Sequence, residues 1–217
     1  MNRKRDSNRR LLSRSPSIAR QVGRQQVKKT IVVVCEGTKT EPQYIDALAA
    51  EPDVRDVAAV HIRQEGADEG AVPLTLVKRA IQIQVRAEKE SGEVDEVWCI
   101  FDVEWPTNHP HLREAVSLAN EHGIHLAISN PCFELWLILH FEQCGRFLDN
   151  DEARHRRKAL DSKPNKRIDP KVYMENRALA TERAAWLDQK HERDRTDFPD
   201  NNPSSGMHKL IKSVSPP

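Results

Sequence analysis

Aromatic residues are scarce in this chain: Phe, Trp and Tyr make up 5% of its 217 residues. No run of aromatics marks a base-stacking surface, so any contact with nucleic acid falls to charge on the phosphate backbone. The four cysteines, Cys35, Cys99, Cys132 and Cys144, lie far apart and form no C-x-x-C pair. That spacing argues against zinc and for reduced, buried thiols. Long apolar runs are missing as well. The longest, Leu135 to Leu139 with its flanks, stops at His140 and Glu142, short of the roughly 20 residues a membrane span needs. No apolar core follows the basic N-terminal residues, which speaks against a secretory signal and leads to the expectation of a cytoplasmic protein.

What is present is charge, at 31% of residues, unevenly placed. Residues 1–29 hold ten Lys and Arg against the single acid Asp6, a balance of +9; the net +1 of the whole chain leaves −8 for the remainder. An acidic body repels a polyanion, so the basic leader, residues 1–28, reads either as a phosphate-binding arm or as a solubilising tail. Its Ser- and Arg-rich, aromatic-free composition predicts no fold of its own.

Order is expected from Lys29. Thr30-Ile-Val-Val-Val-Cys35 is a continuous β-branched run, as a strand buried on both faces should be, and it ends at Glu36-Gly37. A helix is predicted from about Glu41 with Thr40 as its N-cap, then a strand over Val57–Ile62, a polar loop from Glu65 to Gly70 and a helix over 73–90. After a turn at Ser91-Gly92, Glu96 to Phe101 reads as a third strand ending at Asp102. A helix from about His109 to His122, a fourth strand over Ile124–Ser129 and an apolar helix over Cys132–Phe141 follow. Strands alternating with helices predict an α/β domain over 29–144, with four largely parallel strands flanked by helices. Residues 145–217 predict a mostly helical extension packing on the same domain, with helices near 171–190 and from about Pro203 to Val214.

Parallel sheets gather functional groups where strands end at their carboxyl edge. The first strand ends in Glu36, the third in Asp102 with Glu104 two residues on. If those strands are neighbours, three carboxylates converge, and a divalent cation relieves their repulsion. Oxygen ligands favour Mg²⁺ or Mn²⁺ over zinc. Such a metal can activate water and stabilise the leaving oxygen of a phosphodiester, with Glu36 as ligand or general acid/base and Asp102 and Glu104 as ligands.

Glu36-Gly37 after one strand and Asp102-Val103-Glu104 after another resemble the TOPRIM pattern of E-G followed by D-x-D. More narrowly, Val34 to Glu41, Ile100 to Glu104, Ser129 to Phe141, Asn202 to Ser205 and His208 to Leu210 resemble the RloB-like (AbiLii-type) family of TOPRIM proteins. The resemblance spans roughly residues 29–215. It implies a TOPRIM-like (Rossmannoid) fold, a metal-dependent nuclease serving anti-phage or abortive-infection defence, and an ATPase partner. The chain departs from the family's D-x-D in carrying Glu104 as the second acid, whose arm is longer by a methylene.

Further candidates lie around this core. Lys39 and Thr40, on the loop and first turn after strand one, read either as phosphate contacts or as a solvated lysine and a helix cap, and no Walker A spacing occurs. Glu134, one turn into the helix after strand four, either joins the crevice or complements its helix dipole. His109 and His111 follow the D-x-E loop and could protonate a leaving group. His140 reads as a core histidine or a further site residue. Arg154, Arg156, Arg157 and Lys158, with Lys163, Lys166 and Arg167 beyond, form either a second surface for nucleic-acid backbone or a solvated helix face.

Two other readings compete with a nuclease. One is a catalytically silent binding or regulatory subunit acting through an ATPase partner. The other, a phosphotransfer receiver, is disfavoured because receivers pair their acids after strand one and place a lone Asp after strand three.

Overall fold

The computed structural model describes residues 28–64, 72–90, 94–161 and 167–216. The basic leader up to residue 27, the loop from Glu65 to Gly70, the turn at Ser91-Gly92, and Lys163 and Lys166 lie outside the described residues. In chain order the elements are β1 (Lys29–Cys35), α1 (Thr40–Ala50), α2 (Pro52–Val57), β2 (Ala58–Gln64), α3 (Pro73–Lys89), β3 (Glu96–Asp102) and α4 (Leu112–Glu121). They continue with β4 (His125–Asn130), α5 (Glu134–Leu139), α6 (Asn150–Leu160), α7 (Pro170–Glu175), α8 (Arg177–Asp194), β5 (Ser204–Ser205) and α9 (Met207–Val214).

The sheet order is β2-β1-β3-β4-β5, parallel throughout except for the antiparallel β4–β5 pair. The expected four strands are thus five: β5 is only two residues long, below what residue patterning resolves. Alternation sorts the strand side chains. Ile31, Val33 and Cys35 join Trp98 and Ile100 in a cluster shared with α1, α5, α8 and α9, whereas Val32 and Val34 join Val97, Cys99 and Phe101 against α3 and α4. Both faces are therefore apolar, which is why β1 and β3 read as continuous apolar runs. Each fully buried Val or Ile contributes roughly 1.5–3 kcal/mol relative to exposure.

Leu148, Ala153, Tyr173, Leu187 and Leu210, all beyond residue 144, sit in the same cluster as β1 and α5. Three differences from the expected elements have plain causes. Thr40 is the first residue of α1, not its cap; Lys39 occupies the cap position without a side-chain bond. The predicted helix over 171–190 is two, α7 and α8, meeting at Asn176. Helix α6 has no bounds in the residue pattern beyond a solvated helix face at 154–158, because its sequence is almost entirely polar; a capping box between Asp149 and Glu152 starts it. Among the described residues, no helix is long and apolar enough to cross a membrane.

Candidate active site

The register of β1 on β3 pairs Cys35 with Ile100, so Glu36 and Asp102 emerge at the same carboxyl edge of the sheet. The ends are stitched together. The Glu36 N–H donates to the Ile100 carbonyl at 3.0 Å, and the Asp102 N–H donates to Glu36 Oε2 at 3.2 Å. Beyond Asp102, the Val103 N–H donates to the Ser129 carbonyl and the Glu104 N–H to the Pro131 carbonyl, each at 2.9 Å. Glu104 adopts a left-handed conformation, φ 63°, which is uncommon for a side chain bearing a Cβ. Such strain is held where the surroundings over-determine the backbone.

An open crevice of about 440 Å³ lies at this edge. Glu36, Glu41, Asp102, Glu104 and Glu134 all line it, with Lys39, Thr40 and Arg154. The structure therefore brings Glu36, Asp102, Glu104 and Glu134 together, as residue order alone suggested, and adds Glu41. Glu41 was legible as a first-turn acid following strand one but was not singled out. Its carboxylate lies against Gly37, where any Cβ would collide with it, so the glycine of the Glu36-Gly37 pair makes room for an acid.

The electrostatics follow from this crowding. Burial, then the charges of Glu41, Glu36 and Glu134, push the Asp102 carboxyl well above the usual carboxylate range, against a lowering contact from the Phe133 backbone N–H. Asp102 Oδ1 is buried and has no hydrogen-bond partner among the described residues. His109 Nε2 lies 2.7 Å from Glu36 Oε1, an ion-pair distance outside hydrogen-bond alignment. Interaction with Glu36 raises the His109 pKa, burial opposes it, and the charges of Glu36 and Glu104 add to the rise. Glu104 accepts a bond from Asn150 Nδ2 and lies 3.5 Å from Arg154. Asn150, on the first turn of α6, was missed by residue reasoning; the capping box just before it was the available signal.

The remaining candidates divide. Lys39 is exposed on the crevice wall, and Thr40 is buried there. Arg156 is bound to Glu142, and Arg157 is buried, 3.1 Å from Asp161 and bonded to the Arg167 carbonyl. These two serve the fold, leaving Arg154 and Lys158 exposed on α6. His140 is buried: its Nδ1 donates to the Trp136 carbonyl at 2.9 Å and its Nε2 accepts from the Tyr44 hydroxyl at 3.1 Å. It is a core histidine and does not line the crevice. His111 is exposed, 3.0 Å from Glu114. All four cysteines are free and buried, and burial pushes each thiol up, so they are inert packing groups.

The sequence profile of the family described as RloB-like protein matches residues 31–214. The chain belongs to the RloB-like family. The match runs from β1 through α9, taking in the crevice and the segment that adds β5 to the sheet. No curated protein and no solved structure matches the chain.

Proposed function

We propose that this RloB-like protein is a metal-dependent nuclease with a TOPRIM-like catalytic edge, cleaving nucleic-acid phosphodiester bonds in prokaryotic anti-phage defence. The observation that carries the reading is the set of five carboxylates lining one crevice where β1, β3 and β4 end.

The donor set fits a hard divalent cation, Mg²⁺ or Mn²⁺: it is all oxygen, and Asp102 Oδ1 is a buried acceptor without a hydrogen-bond partner among the described residues. Among the described residues no three acid or imidazole groups already stand as a metal-ligand cluster. Glu36, Asp102 and Glu104 would hold the ion, with Glu134 beside them. When bound, it would polarise the phosphoryl oxygen and lower the pKa of a water nucleophile. Glu36 lies against His109 and raises its pKa, which favours the protonated ring that could give a proton to a leaving oxygen. Arg154 and Lys39 supply positive charge to the phosphate backbone.

Purified protein incubated with plasmid DNA and total RNA, with Mg²⁺, Mn²⁺ or EDTA, tests the reading. Metal-dependent products that disappear in Glu36→Gln are expected. A second reading, a silent regulatory subunit of an ATPase-containing complex, draws on Glu104 being already engaged by Asn150 and Arg154. Phage protection undiminished in Glu36→Gln would favour it.

A further inference from the structure

Phe147 is the most exposed of the large apolar side chains noted on the described surface, at 51%. Yet its backbone is held. The neighbouring Leu148 donates its N–H to Asn202 Oδ1 at 3.1 Å and accepts from Asn202 Nδ2 at 2.8 Å. Two residues before Phe147, Gly145 lies so close to the Trp186 ring that an added Cβ would stand 3.0 Å from it. An apolar ring exposed on a stretch of backbone held at both sides is unusual on a surface otherwise rich in charge.

Its aromatic neighbour among the described residues is informative. Trp105, the residue after Glu104, packs edge-to-face against Phe147 with centroids 5.5 Å apart and planes at 88°. The Trp105 carbonyl accepts from the Asn150 N–H at 3.2 Å, and Asn150 also binds the Glu104 carboxylate. The aromatic pair and the crevice are thus tied to the same turn of α6. Four and eight residues on from Asn150, Arg154 and Lys158 follow along the same helix face, both exposed. A cationic row leads from the carboxylates, with a rigid aromatic step beside its start.

We propose that Trp105 and Phe147 form a stacking platform for an unpaired base, so that the strand led along Arg154 and Lys158 into the crevice is single-stranded. This rests on the cleavage reading for where the strand goes, but not for whether it binds. Stacking needs a free base face, which a duplex does not offer, and it tolerates any base because each has a π-face. The scarcity of aromatics in the chain is then no obstacle, since folding brings Trp105 and Phe147 together from 42 positions apart.

The test is binding of short fluorescein-labelled oligouridine and oligothymidine, and of the matching duplex, to the full chain in EDTA, where nothing is cut. The wild type should bind the single strands more tightly than the duplex. Phe147→Ala should weaken single-strand binding about tenfold, and Phe147→Leu nearly as much, while Phe147→Tyr retains it. No binding by the wild type, equal affinity for the duplex, or full affinity in Phe147→Ala or Phe147→Leu would each overturn the platform. If Phe147→Ala loses binding while the wild type cuts nothing in Mg²⁺ or Mn²⁺, the platform stands and the cleavage reading fails.

Discussion

His109 stands beside the crevice residue Glu36, a carboxylate oxygen 2.7 Å from its Nε2, whereas His140 lies in the core between the Tyr44 hydroxyl and the Trp136 carbonyl. Burial opposes charge on both, yet the two shift in opposite directions. His109 is raised, because Glu36 and Glu104 outweigh its burial. His140 falls to about 4, because burial, with the nearby Arg183 charge, outweighs the Trp136 and Leu137 backbone groups that favour its cation. The contrast separates two kinds of polar group. In the core, His140 has both ring nitrogens partnered, by the Trp136 carbonyl and the Tyr44 hydroxyl. The crevice has gathered negative charge beyond what its neighbours neutralise, leaving Asp102 Oδ1 without a partner among the described residues.

The largest effect should come from removing the charge that defines the crevice. Glu36→Gln should lower any metal-dependent cutting by roughly 10²–10³-fold, and NMR titration of the folded variant should show the His109 pKa falling towards its ordinary value. Unaltered His109 titration would break the comparison at its crevice end.

The core histidine predicts an acid weakness of similar size. Its pKa is lower in the fold than in the unfolded chain, so its contribution is complete above pH 6.5 and is lost as the pH falls towards 4. The loss reaches roughly 3 kcal/mol by pH 4, measurable by urea unfolding at a series of pH values, and it should vanish in His140→Gln. His109 has the reverse sign. Its contribution is present below its ordinary pKa and disappears as the pH rises through the raised one.

Mg²⁺ or Mn²⁺ at a hundred times its Kd should stabilise the wild type by about 2.7 kcal/mol. The gain, followed by thermal melting, should shrink in Asp102→Asn. Smallest is Tyr44→Phe, which leaves His140 Nε2 without its donor. It should cost about 1–2 kcal/mol in unfolding experiments while cutting is unchanged.

The parts of this picture readable in the residues are those where one physical signal dominates. β1 and β3 announce themselves by unbroken apolar runs, and Glu36, Asp102 and Glu104 by standing at the ends of those runs. Register then does the rest, since pairing Cys35 with Ile100 in parallel neighbours brings Glu36 beside the end of β3 at Asp102. Helix α6 carried no apolar period, so its Asn150 grip on Glu104 could not be anticipated from pattern alone. Glu134 and His140 share one helix and both offered two readings. Position on the helix decided between them: Glu134, at its start, faces the crevice, and His140, just past its end, is turned into the core.

β5 places Ser204 and Ser205 beside Asn130 and Ser129, residues made some 75 positions earlier. Gly206 approaches β4 so closely that a Cβ would lie 3.0 Å from the Ile128 nitrogen, and its own N–H donates to the Ile128 carbonyl at 2.8 Å. During synthesis the outer edge of β4 must therefore wait, open, until this segment leaves the ribosome. Contacts of such sequence separation form late and slowly. Any side chain at position 206 would obstruct that closure, leaving nascent chains with an unpaired strand edge through which copies could associate.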